Sequence, residues 1–133
     1  MQHIEHIGIA VKNLDFSNDL FTKLLGSAPY KQEGVESEGV MTSFFQTGQT
    51  KIELLESTNP DSPIAKFIEK KGEGIHHIAF EVEDIVTEMA RLKSEGFILL
   101  NEVPKKGADN KLVCFLHPKG TNSVLVELCQ NIL

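Results

Sequence analysis

Residues 4–11 alternate between large aliphatic and small or polar side chains. Ile7, Ile9 and Val11 fall on one side, and His6, Gly8 and Ala10 on the other. A period of two is that of a strand with one apolar face. Residues 77–82 repeat it, with Ile78, Phe80 and Val82 against His77, Ala79 and Glu81. The period then changes to that of a helix in both places. Phe16, Leu20, Phe21, Leu24 and Leu25 share one predicted helical face, with Gly26 as a C-terminal stop. Ile85, Met89 and Leu92 do the same further on, with Asp84 as N-cap and Gly96 as stop. Three further strands follow each helix, predicted at 29–35, 40–47 and 50–56, and at 97–101, 111–117 and 123–129. Both helices are expected on the apolar side of their strands, which leaves the histidine side of the sheet uncovered.

The chain is thus one half-length unit used twice. His6-Ile7-Gly8-Ile9-Ala10-Val11 and His77-Ile78-Ala79-Phe80-Glu81-Val82 are offset by 71 residues, and so are Phe44 and Phe115. Between the units lies a predicted linker helix: Ser62 as N-cap, Pro63 at the first position, an apolar strip of Ile64, Phe67 and Ile68, then Gly72 and Gly74. The predicted fold class is α+β. Two tandem βαβββ modules (about 1–58 and 74–133), joined by the linker helix at about 62–72, form an open eight-stranded mixed sheet around a concave site.

Bulk properties narrow the function classes. A length of 133 residues points to one domain. With 41% apolar and 24% charged residues the balance is that of an ordinary globular protein. No apolar run approaches the ~18 residues that span a bilayer, and residues 1–12 carry no signal-peptide pattern, so a cytoplasmic protein is expected. Cys114 and Cys129 form no CxxC pair and read as free buried thiols. A net charge of −6 argues against a nucleic-acid binder. One stretch runs the other way: Lys105, Lys106, Lys111 and Lys119 face a single Asp109 between residues 103 and 121. It reads either as a solvated loop or as a phosphate-binding patch.

The last strand of each module holds one glutamate among aliphatics, Glu53 and Glu127. Alternation turns both toward the side that carries His6 and His77. Isolated buried carboxylates are costly, and two in one cleft need a cation or a shared proton. Two imidazoles and two carboxylates would hold a divalent ion in a neutral site. The mixed nitrogen and oxygen set suits Co²⁺, Zn²⁺, Ni²⁺ or Mn²⁺. A six-coordinate ion would keep two positions for water or substrate. The predicted metal ligands are therefore His6, Glu53, His77 and Glu127. Glu5 and His76 are read as structural residues facing away, and His3 and His117 have no repeat partner.

With these residues in place the chain resembles the vicinal oxygen chelate superfamily, and within it the methylmalonyl-CoA epimerases. The resemblance rests on Glu5-His6-Ile7-Gly8-Ile9-Ala10-Val11, Asp61-Ser62-Pro63-Ile64-Ala65-Lys66-Phe67, Gly72-Glu73-Gly74-Ile75-His76-His77-Ile78-Ala79-Phe80, Phe115-Leu116-His117-Pro118-Lys119 and Val124-Leu125-Val126-Glu127-Leu128. It implies an enzyme that interconverts the (R) and (S) forms of methylmalonyl-CoA. The α-proton between thioester and carboxylate would be removed on one face and returned on the other, with a divalent ion steadying the enolate. Glu53 and Glu127, related by the repeat, are the expected acid–base pair.

One departure matters. Some epimerases of this kind carry a glutamate after a Gly-Val pair, and a glutamine at the position of Glu53. Here Gly39-Val40 is followed by Met41 and Thr42. Glu53 is then expected to serve as both ligand and base, with Glu36 or Glu38 in the preceding loop as alternatives. Thr42 and the lysines Lys105, Lys106, Lys111 and Lys119 are the candidate contacts to an acyl-CoA substrate. Two other readings share the pattern: a glyoxalase I acting on a thiol hemithioacetal, and a non-catalytic sequestering protein of the bleomycin-resistance type. Open sheet edges predict a homodimer.

Overall fold

The computed structural model describes residues 1–132. The order βαβββ occurs twice. The first pass is β1 (His3–Ala10), α1 (Leu14–Leu25), β2 (Lys31–Val35), β3 (Val40–Thr47) and β4 (Thr50–Ser57). The second is β5 (Gly74–Glu81), α3 (Ile85–Ser94), β6 (Lys105–Lys106), β7 (Lys111–Leu116) and β8 (Val126–Asn131), with α2 (Pro63–Lys71) between the two passes. This is the vicinal oxygen chelate arrangement, with parallel and antiparallel pairs in each half. The chain divides into two compact units, and the division falls inside β1: His6–His76 form one, and Met1–Glu5 with the stretch from His77 form the other.

In the His6–His76 unit the strands run β2-β3-β4-β1, with β4 and β1 parallel and the rest antiparallel. Asn13 begins α1 by accepting from the Phe16 amide, and Gly26 ends it in the left-handed region at φ 83°. Leu14 packs with Val11, Phe45 and Leu54, with Phe21 and Leu25 beside them. The apolar strip predicted for α1 is therefore split. Phe16, Leu20 and Leu24 are 69%, 51% and 70% exposed, because a helix resting on a twisted sheet buries only a narrow stripe. The buried stripe runs through Leu14, Ser17 and Phe21 instead.

A second departure concerns the histidine side. Ile64 of α2 packs on Ala10, Val40 and Leu55, with Phe67 and Ile68 alongside. Ala10 alternates with His6, and Leu55 with Glu53, so the linker helix covers part of the face expected to be open. Ser62 caps α2 by accepting from the Ala65 amide at 3.0 Å, with Pro63 at its start. The same serine hydroxyl meets that of Ser57 at 2.8 Å, which ties the cap to the end of β4.

In the other unit the strands run β5-β8-β7-β6, with β5 and β8 parallel. Helix α3, capped by Asp84 onto the Thr87 amide, lays Ile85, Met89 and Leu92 on Val82, Cys114, Leu116 and Leu128. Ala79, Val113 and Cys129 form the opposite face, with Phe115 beside them. The strand expected at 97–101 is reduced to a single bridge, Leu99 with Leu116. The Phe115 amide donates to the Asn101 side chain instead of to a ladder carbonyl. Pro104, which has no N–H, stands just before regular pairing resumes at Lys105. β8 begins at Val126 rather than near 123, because Asn122 and Ser123 hold φ of 54° and 68°.

Candidate metal and catalytic site

The repeat brings the same three residue types together in each unit. β1 and β4 pair in parallel with Gly8 opposite Glu53, and β5 and β8 pair in parallel with Ala79 opposite Glu127. On its antiparallel side Glu53 faces Phe44, and Glu127 faces Phe115. Each glutamate thus stands between a small residue and a phenylalanine, and its histidine lies two residues before the small one. His6 Nδ1 lies 3.1 Å from Glu53 Oε2, and His77 Nε2 lies 3.2 Å from Glu127 Oε1. His6, Glu53, His77 and Glu127 are all buried, at 4%, 6%, 6% and 5% exposure.

These distances test whether a metal fits. Imidazole nitrogen and carboxylate oxygen bind Zn²⁺-like ions at about 2.0–2.2 Å, so two ligand atoms on one ion are roughly 3.0–3.5 Å apart in octahedral or tetrahedral geometry. Both pairs span that distance. Burial of a carboxylate beside a neutral imidazole is also the setting in which a cation is most useful. The donors therefore fit the divalent ion that the fold implies.

Aromatic and cationic groups edge each pair. The His77 ring meets Phe115 edge-on, with centroids 5.8 Å apart. Lys105 Nζ sits 5.9 Å from the centre of Phe115, and Lys31 Nζ sits 5.5 Å from that of Phe44. The lysines are 74 positions apart, as are Glu53 and Glu127. That offset, legible in the chain, would have added Lys31 to the candidates. Thr42 is 1% exposed on β3, two residues before Phe44 and on its face. Glu36 is exposed and Glu38 half-buried, both in a short 3₁₀ turn ended by Gly39 at φ 64°. A Cβ on Gly39 would lie 3.0 Å from Ser62 Cβ and 3.1 Å from Asn59 Cβ, so the turn sits tight against the start of α2.

The lysine-rich stretch does not stay together. Lys105 and Lys106 are exposed on β6, and Lys119 is exposed in a 3₁₀ turn whose first amide is accepted by His117 Nδ1. Lys111, expected at the surface with them, is interior, at 6% exposure. Its ammonium donates to Asn131 Oδ1 and lies 3.6 Å from Glu5 Oε2. Glu5 is itself 3% exposed. Lys111 is therefore corrected from a phosphate contact to the cation of a buried pair. His3 lies 3.8 Å from Glu81. The two cysteines are free and buried. Burial pushes the Cys114 thiol up, against smaller downward effects of the Asn101 backbone and Lys105, so it remains a protonated core group.

The model of the Glyoxalase/Bleomycin resistance protein/Dioxygenase superfamily matches residues 5–115. The ethylmalonyl-CoA/methylmalonyl-CoA epimerase of Cereibacter sphaeroides is 43% identical over 129 residues, 96% of either chain. The mitochondrial methylmalonyl-CoA epimerase of Homo sapiens is 40% identical over 128 residues, 96% of this chain and 73% of the human one. A variant of Streptomyces coelicolor methylmalonyl-CoA epimerase, solved in complex with 2-nitronate-propionyl-CoA, superposes with a TM-score of 0.94 at 32% identity. That superposition covers 100% of this chain and 99% of the other.

Proposed function

We propose, for a chain that belongs to the glyoxalase/bleomycin resistance protein/dioxygenase superfamily, the epimerisation of methylmalonyl-CoA between its (R) and (S) forms. The supporting observation is the duplicated buried His–Glu pair, set in identical strand register in both units. Relatives of 40% and 43% identity that carry the epimerase name support the substrate.

We assign His6, Glu53, His77 and Glu127 to a shared divalent ion. When bound, that ion supplies Lewis-acid stabilisation of negative charge on the two acyl oxygens. The protein's own residues handle the proton. The α-hydrogen is flanked by a thioester and a carboxylate, so its removal leaves a carbanion delocalised into the thioester. Glu127, as carboxylate, takes that proton. Glu53, as carboxylic acid, gives one back to the opposite face of the same carbon, and the reverse turnover exchanges the roles. One oxygen of each glutamate faces its histidine, and we assign the other to the proton. Phe44 and Phe115 line the two glutamates and keep water from quenching the carbanion.

The test is exchange at the α-carbon. In heavy water the metal-loaded protein should place deuterium at C2 of methylmalonyl-CoA, lose this on chelation, and regain it with added Co²⁺. No exchange by the Co²⁺-loaded protein would rule the reaction out. The role of Glu53 has its own check. Glu53→Gln should keep its bound metal, measured by elemental analysis, yet turn over about a hundredfold or more slowly. Near-normal turnover with metal retained would move the second base to Glu36 or Glu38.

A further inference from the structure

At one rung the two modules differ in chemistry. Val40 pairs with Ser57 across β3 and β4, and Lys111 pairs with Asn131 across β7 and β8. The offsets, 71 and 74 residues, are those that relate Phe44 to Phe115 and Glu53 to Glu127. Val40 packs with Ile64 of α2 in an apolar cluster. Lys111 has instead an interior ammonium, which donates to Asn131 Oδ1 and lies 3.6 Å from Glu5 Oε2. The backbone around it is tied down. Asp109 and Asn110 both hold φ of 57°, and the Gly107 amide donates to the Lys111 carbonyl at 2.9 Å. Asn110 bonds Ile132 through its side chain at 3.0 Å and its carbonyl at 3.1 Å.

Stability alone does not account for such a pair. Desolvation cancels much of the attraction in a buried ion pair, and apolar residues of similar volume often serve as well or better. The best-attested use of buried charge is to fix one register against others. Glu5 is where register matters, because it is the residue before His6. β1 starts at His3, so both stand near a strand end, where backbones open most readily. Glu5 and His6 are buried, at 3% and 4% exposure, while Ile4 is 38% exposed. Consecutive side chains on a strand are oriented together, so a slip or a half-turn at Glu5 turns His6 to the other face. The chain also passes from one compact unit to the other at the Glu5–His6 peptide and again at His76–His77. His76, the repeat counterpart of Glu5, is held too: its ring meets that of Phe67 edge-on, with centroids 5.0 Å apart.

We propose that Lys111, with Asn131, is a positioning residue for the metal site: by holding the Glu5 carboxylate inside, it fixes the twist of β1 that aims the His6 imidazole at the ion. The inference rests on the assignment of His6 as a ligand. It gives Lys111 a part in the reaction other than the phosphate contact expected of it.

Co²⁺ binding by the full-length protein reads this without turnover. Lys111→Met combined with Glu5→Gln removes both charges and strands neither. In that double variant the dissociation constant for Co²⁺, measured by competition with a chelator, should rise about tenfold or more, the effect typical of groups that orient a metal ligand. The visible absorption of the Co²⁺-loaded protein should also change shape, because it reports the number and geometry of the ligands. Met89→Ala is the control. Met89 is 4% exposed among Val82, Ile85 and Leu92, and truncating it destabilises the fold while leaving Glu5 paired. It should keep the wild-type affinity and spectrum. A double variant that matches the wild type in both readings, or a Met89→Ala protein with the same losses, overturns the positioning role. If the double variant fails to fold, Asn131→Ala, at an exposed strand end, carries the test with a smaller weakening expected, and an unchanged affinity there overturns the role equally. A wild-type protein that takes up no Co²⁺ sinks the assignment of the four ligands, and the positioning role with it.

Discussion

Glu127→Gln should lower epimerisation by about 10²–10⁴-fold, the range lost with a general acid–base group. The amide keeps the size and one ligand oxygen of the carboxylate, so metal content and folding should be preserved. It cannot take up the substrate's α-proton. Its neighbours argue against a structural explanation for such a loss: Glu127 sits between Ala79 and Phe115 with His77 at 3.2 Å, and an amide oxygen can keep the carboxylate oxygen's place beside that nitrogen. The same variant should stop interconverting the two epimers, while Glu53 can still exchange deuterium into the one epimer whose α-hydrogen faces it. Substantial residual epimerisation with normal metal content would overturn the two-glutamate mechanism.

Lys111→Met should produce a large loss of stability. Lys111 and Glu5 are 6% and 3% exposed, and their charged atoms are 3.6 Å apart. Removing one partner of a buried pair typically costs about 3–5 kcal/mol, because the remaining charge loses its counter-ion out of reach of bulk water. The midpoint of denaturant unfolding should move accordingly, with the slope unchanged. Adding Glu5→Gln to Lys111→Met should recover much of the loss, since the stranded charge is then gone. If the single and double variants are equally unstable, the pair is not electrostatically coupled.

The repeat itself was legible at the level of residues. Period-two alternation around His6 and His77, and the shared 71-residue offset of the histidines and of Phe44 and Phe115, specify two copies of one βαβββ unit. Parity then turned Glu53 and Glu127 to the histidine side. Leu54 packs with α1, and Leu128 with α3, on the opposite side of the sheet. Local capping chemistry was equally visible: Ser62, Pro63, Asp84 and Gly26 act where their side chains or φ preferences place them.

What failed did so where long-range packing outweighs local pattern. The α1 strip divided because five apolar residues cover more of a helix than one sheet can bury, leaving Phe16, Leu20 and Leu24 outside. The strand at 97–101 shrank to a bridge beside Asn101 and Pro104. Lys111 followed the strand's alternation inward, beside Val113, instead of joining its basic neighbours in the loop.

The order of residues alone determined which side chains alternate together, and hence the duplication, the strand faces and the side to which His6, Glu53, His77 and Glu127 turn. These depend on periods of two and 3.6 that any short stretch of backbone enforces. Only the tertiary structure decided what lies against those faces. It seated α2 over Ala10 and Leu55, drew Glu5 and Lys111 together across 106 positions, and set Phe67 of α2 edge-on against His76 of β5. Such contacts join residues that no local period relates, so they are set by the burial of whole surfaces.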